Sequence, residues 1–268
     1  MEASVAQSVS IGTAWSEAAA FLAREKRLLA PLVLALMVVP TTVPQLVQPL
    51  NPMGDSAGLR PWMGIALVAL LMGLVGQMAV SRLAMGADRS LGATIGLAVR
   101  RLPATIGAFV LFFLVASLAL IPLIVVMTLA GGGATSASPA SGGVNAVTLL
   151  VVFALVPRIL LAPALAMTEP RGPWALVKAT WRSTRGHYWR LLAFFLLFLI
   201  ASLVFAVAAS SVVGSLATLA LGKPEPFSVS RLLVALAGGL VQGVIATIYA
   251  AMIGRLQVQS PRGSTNGM

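Results

Sequence analysis

The sequence predicts an all-α, polytopic membrane protein: six transmembrane helices in three hairpins, each hairpin preceded by a cytoplasmic interfacial amphipathic helix. Three observations predict it. Of the 268 residues, 59% are hydrophobic and only 9% are charged, whereas a soluble domain carries about 25% charged residues and needs them to cover its surface. The apolar residues gather into runs of about 20, the length that crosses a bilayer core of roughly 30 Å. The cations gather in every second connecting segment, and so on one side of the layout, as positive charge does when it is retained in the cytoplasm.

The first 27 residues carry Glu2, Glu17 and Glu25 and lack the short basic start of a signal peptide, so the run from Leu28 is expected to be a retained span. Ile11, Ala14, Trp15, Ala18, Phe21 and Leu22 recur at helical spacing and predict the first interfacial helix. Spans are expected at Leu28–Val47 and Trp62–Leu83. Leu91, Ile95, Ala98 and Leu102 predict a second interfacial helix ahead of spans at Pro103–Leu129 and Val144–Met167. Trp174, Val177, Trp181 and Tyr188 line one predicted face of a third, with Lys178, Arg182 and Arg185 beside them, ahead of spans at Trp189–Val213 and Leu232–Ile253. The runs are too long, and too uniformly apolar, for barrel strands of about ten alternating residues.

Arg24, Lys26 and Arg27, then Arg82, Arg89, Arg100 and Arg101, then Arg171, Lys178, Arg182, Arg185 and Arg190, then Arg255 and Arg262 all fall on one side of this layout. The other side holds only Arg60, Lys223 and Arg231, and the loop GGGATSASPASGG is uncharged. Both termini are therefore expected in the cytoplasm, which requires an even number of spans. The net charge of +11 would suggest nucleic acid in a soluble protein. Here the cations alternate with apolar runs and form no continuous patch, so no nucleic acid is expected.

Gly12, Gly92 and Gly172, at a spacing of 80 residues, open the three amphipathic stretches in similar contexts (SIG, SLG, RGP). They suggest one six-span domain over 1–257 built from parallel repeats at 10–84, 90–167 and 171–256, followed by a disordered polar tail at 258–268. Gly73 and Gly76, and Gly239 and Gly243 in GGLVQG, are candidate helix-packing positions, since small residues let helices approach closely.

Arg158, between Pro157 and Pro163, lies within the fourth apolar run. An arginine there costs about 2.5–3.5 kcal/mol on insertion scales. A long side chain can snorkel toward the interface, and the prolines free carbonyls that the guanidinium could satisfy. It is expected to act as a structural anchor or lipid-phosphate clamp. Glu169 is its plausible ionic partner, eleven residues on and so about three turns away if the helix continues. His187 is the only histidine, and cysteine is absent. Neither a metal cage, nor a catalytic triad, nor a cofactor motif is expected.

From Arg158 to Leu192 the chain resembles a known pattern. The arginine is followed by Pro163, Glu169, Gly172, Ala175-Leu176, then Trp181, Thr184, Arg185, Gly186, Tyr188, Trp189, Arg190 and Leu191 in a Trp-x-x-Thr-[Lys/Arg]-Gly-x-[aromatic]-[aromatic]-Arg-Leu run. This is similar to the bacterial "glycerophosphoryl diester phosphodiesterase membrane domain" and related six-span families. In some bacteria that region is fused to a soluble phosphodiesterase domain whose acids, histidines and metal perform catalysis. These 268 residues contain no such block, so the resemblance implies a stand-alone, non-catalytic module of the bacterial inner membrane. Its expected partners are membrane lipids with anionic headgroups, or a membrane or cytoplasmic protein. The contact residues are expected to be Arg158, Glu169, Lys178, Trp181, Arg182, Arg185, His187, Trp189 and Arg190. A small permease or transporter subunit with a site near Arg158 is the alternative. An intramembrane enzyme ranks lowest, because no acid lies in any span.

Overall fold

In the computed structural model, residues 11–48, 60–86, 90–129, 139–168, 172–185, 188–222, 225 and 228–259 are described. Among these residues every regular element is helical and no strand occurs. The elements are α1 (Ile11–Arg24), α2 (Lys26–Val33), a π-helical turn (Leu34–Val38), α3 (Val39–Val47), α4 (Pro61–Ala84), α5 (Leu91–Leu129), α6 (Pro139–Ala166), α7 (Pro173–Thr184), α8 (Tyr188–Leu221) and α9 (Val229–Gln259).

Five segments are long and apolar enough to cross a membrane: Lys26–Val47, Pro61–Ala84, Leu91–Pro122, Tyr188–Leu221 and Val229–Gln259. The helix at the fourth predicted run, α6, is 28 residues long, and its apolar stretch Phe153–Ala166 is of the shorter kind. Large side chains such as Phe113, Leu118, Leu197, Leu203, Val212 and Leu219 point outward. Exposed apolar surface on this scale is what a lipid-facing helix presents and what a soluble surface avoids. The chain is thus compatible with a multi-pass integral membrane protein.

The amphipathic stretches do not all become separate helices. α1 and α7 do, but Leu91–Leu102 runs unbroken into the apolar segment as the start of the 39-residue α5, with Pro103 inside it. A helix can pass a proline when neighbouring groups take up the freed carbonyl, so the sequence signal for a break at 103 was overridden. The helices that contain or follow the three glycines start at Ile11, Leu91 and Pro173.

The residues group into two compact units, Met1–Leu102 with Leu197–Met268, and Pro103–Leu196. In the first unit, α9 packs on α4, α1 and α3. Small residues set the spacing. A Cβ added at Gly254 would lie 2.5 Å from the Ser81 carbonyl oxygen and 2.9 Å from Ala84 Cβ. At Gly243 it would meet Val38 Cγ2 at 2.7 Å, and at Gly239 it would collide with Thr42 Oγ1. A Cβ added at Gly76 would lie 3.1 Å from Leu36 Cβ and from Met37 Cγ, while one at Gly73 would meet nothing within 4 Å.

The π turn ends at Val38, two residues before Pro40. A proline lacks the N–H that would bond to the carbonyl four residues back, and its ring crowds that turn, which favours local widening. Threonine hydroxyls close the region: Thr41 Oγ1 donates to the Met37 oxygen at 2.7 Å, and Thr42 Oγ1 to the Val38 oxygen at 2.8 Å. On α1, Ala14, Ala18 and Phe21 are buried, and Trp15 faces outward. The predicted apolar stripe is therefore split between protein contact and exposure.

Arg231 ties two helix ends together in this unit. It is only 9% exposed. Its Nε donates to the Gln45 carbonyl oxygen at 3.0 Å, and its Nη2 donates to that of Gln48. Those carbonyls belong to the last turn of α3 and its C-cap, where helix oxygens lack intrahelical partners and the dipole favours a cation. Ser228 caps the start of α9 by accepting the Arg231 N–H at 3.2 Å, the usual N-cap geometry.

Candidate functional site

The second unit gathers polar chemistry around Arg158. The elements that position it are α6, α7 and the first turn of α8. α7 packs on α6 through Leu176, Ala179, Thr180 and Thr184, all buried. Near the start of α7 the Pro173 ring lies 2.7 Å from where a Gly107 Cβ would stand, so this position on α5 tolerates only glycine without a shift.

At 3.6 residues per turn, the buried face of α7 leaves Trp174, Lys178, Trp181 and Arg182 on the other side. All four are exposed. The aromatic stripe seen in the sequence is therefore an outward face shared with cations. The inward face is built from Leu176, Ala179, Thr180 and Thr184, all smaller than tryptophan. Lys178 Nζ stands 5.6 Å from the Trp174 ring centre, and Arg182 Nε donates to the Lys178 oxygen at 3.5 Å. Thr184 Oγ1 donates back to the Thr180 and Trp181 oxygens, capping the end of the helix. Arg185 is extended, with ψ 133°, so Tyr188 belongs to α8 and not to the stripe on α7.

Arg158 lies beneath this face. Its Cζ stands 3.7 Å from the Trp181 ring centre and 5.1 Å from that of Tyr188, within range for cation–π attraction. Its Nη1 donates to the Ala154 carbonyl oxygen. Its Nε is buried without a hydrogen-bond partner. Among the described residues, the ion pair formed is Arg24 with Glu25 at 3.0 Å, and no carboxylate meets Arg158.

The carbonyl freed by Pro157 goes elsewhere. Proline at 157 removes the N–H that would reach the Phe153 oxygen, and Tyr188 Oη donates to that oxygen at 3.0 Å. The expectation that the guanidinium would serve a proline-freed carbonyl thus gives way to a division of labour. The tyrosine satisfies Phe153, and the arginine turns to Ala154, one residue further along. Tyr188 is the member of the cluster that sequence reasoning passed over as part of an interfacial stripe. The signal was present, since Pro157 leaves one acceptor in need of a donor, but the identity of the donor depends on the fold.

The other expected contact residues lie at the edge. Trp189 is 78% exposed and meets Tyr188 edge-on at 5.5 Å, and Arg190 is exposed. Glu169 and His187 lie outside the described residues, so the expected Arg158–Glu169 pair has no described geometry. No group of three or more metal-ligating side chains occurs among the described residues. The cluster can attract an anion, orient it by hydrogen bonds, and offer aromatic surface beside it.

Comparison with protein-family models, with curated proteins and with solved structures returns no match. The fold and the site therefore define the class, a helical protein suited to the membrane.

Proposed function

We propose that the chain is a six-span, non-catalytic module of the bacterial inner membrane, with both termini cytoplasmic, that engages anionic lipid headgroups through α7 and its flanks. α6 supplies the fourth span. The family resemblance over residues 158–192 fits this reading, as does the excess of cations on one side of the layout. The observation that carries it is the two-faced build of α7: Leu176, Ala179, Thr180 and Thr184 inward, Trp174, Lys178 and Arg182 exposed on the other face, and Trp181 at its edge over Arg158. Indole rings partition to the headgroup level, and cations near an anionic surface gain about 1 kcal/mol each.

The chain has no cysteine, so single cysteines report cleanly. Ser136→Cys and Ser183→Cys should label from opposite sides of sealed vesicles; labelling from one side would refute the topology. A fluorophore on Ser183→Cys should be quenched more by nitroxide-labelled phosphatidylglycerol than by labelled phosphatidylcholine at equal mole fraction. Replacing Lys178, Arg182 and Arg185 by Ala should reduce that preference roughly tenfold or more. Equal quenching by the two lipids in the unaltered protein would remove the lipid reading.

A further inference from the structure

We infer that Arg158 is a discrete receptor for one phosphate group, distinct in kind from the diffuse attraction of the surface cations, although it rests on the membrane reading above. Three observations lead there. First, no counter-charge meets the guanidinium among the described residues. Arg158 sits in α6, eight residues or about 12 Å of helix before Ala166. A cation in an apolar setting calls for a counter-charge. Cation–π contacts with Trp181 and Tyr188 and a bond to one neutral carbonyl supply only part of it.

Second, the guanidinium is already oriented. The Trp181 ring covers one face at 3.7 Å, Nη1 is held by Ala154, and Tyr188, the other wall, is itself fixed by its hydroxyl on Phe153. An arginine so clamped loses little further freedom when it binds, which favours affinity. Third, one edge is unused. Nε has no partner, and Nε with Nη2 forms the fork that matches two oxygens of a phosphate. Nε is itself buried, so a phosphate reaches the fork after a side-chain shift beside it. The ligand class is a phosphate monoester or diester, carried either by a lipid headgroup or by a soluble phosphate, and the aromatic walls favour one with an apolar portion.

The test uses the whole chain, delipidated in detergent, with short-chain phosphatidylglycerol as the lipid probe and inorganic phosphate as the soluble one. Native mass spectrometry reads the number bound. One phosphatidylglycerol per chain is expected to saturate first, to persist in the Lys178→Ala/Arg182→Ala variant, and to disappear in Arg158→Gln. Arg158→Lys keeps the charge but lacks the fork, and should weaken binding at least tenfold. It carries the test should the Gln variant fail to fold. A tight-bound lipid that survives Arg158→Gln but is lost with Lys178 and Arg182 would overturn the receptor while leaving the surface reading intact. Binding unchanged in Arg158→Lys would overturn the fork. Inorganic phosphate competing at concentrations comparable to the lipid assigns the site to a soluble phosphate; competition only by the lipid assigns it to a headgroup.

Discussion

Tyr188→Phe isolates a single hydroxyl. It keeps the ring beside Arg158 but removes the donor that serves the Phe153 carbonyl at 3.0 Å. That carbonyl has no backbone donor four residues on, because Pro157 has no N–H. With α6 as the proposed fourth span, no water stands ready to replace the hydroxyl at the Phe153 carbonyl. Leaving a buried acceptor unmet costs about 1–3 kcal/mol, and measured side-chain bonds between membrane helices lie toward the lower end, about 0.6–2 kcal/mol. A loss of about 1 kcal/mol is therefore expected. Pro157→Ala tests the cause, since alanine restores the backbone N–H and the tyrosine should then matter less. The two single variants and the double variant form a cycle, read by denaturant unfolding in bicelles, with an expected coupling of about 1 kcal/mol. Strict additivity would refute the assignment of Tyr188 to the proline-freed carbonyl, whatever the single costs.

Other outcomes follow from the first unit. Arg231→Met should destabilise by about 2–4 kcal/mol in the same unfolding assay, because it strips the Gln45 and Gln48 carbonyls of their donors; a change below about 0.5 kcal/mol would mean these bonds contribute nothing net. Gly254→Ala should cost about 1–3 kcal/mol through overpacking, since its Cβ would stand 2.5 Å from a backbone oxygen. Gly73→Ala meets open space and should be neutral, or stabilising by up to about 1 kcal/mol from helix propensity. Equal effects at 254 and 73 would refute the close approach of α9 to α4.

Much of the helical layout was legible in the chain. Hydropathy is a local property, and runs of about 20 apolar residues have few folded alternatives in lipid. Helix boundaries near Ile11, Pro173 and Tyr188 follow nearby glycine and proline signals. Pro103 misled because a continuous helix can carry a proline once other groups meet its carbonyl. The packing glycines could not be ranked: Gly239, Gly243 and Gly76 face a neighbouring helix closely, and Gly73 does not, although all four sit in similar local sequence. Gly107 and Gly254, which do meet close neighbours, carried no distinguishing signal.

By itself, the sequence determined that the chain folds into long apolar helices with cations at their ends, because burial in lipid and charge exclusion act residue by residue along the chain. It also marked Arg158 as a charge needing company and Pro157 as a source of an orphaned carbonyl. Only the tertiary structure decided the partners: Trp181 and Tyr188 for the arginine, Tyr188 for the Phe153 carbonyl, and Arg231 for the end of α3. Hydrogen bonds and ring contacts reach only a few ångströms, so they are chosen by which helix faces meet, and residues 35 or 186 positions apart meet only once the helices have packed.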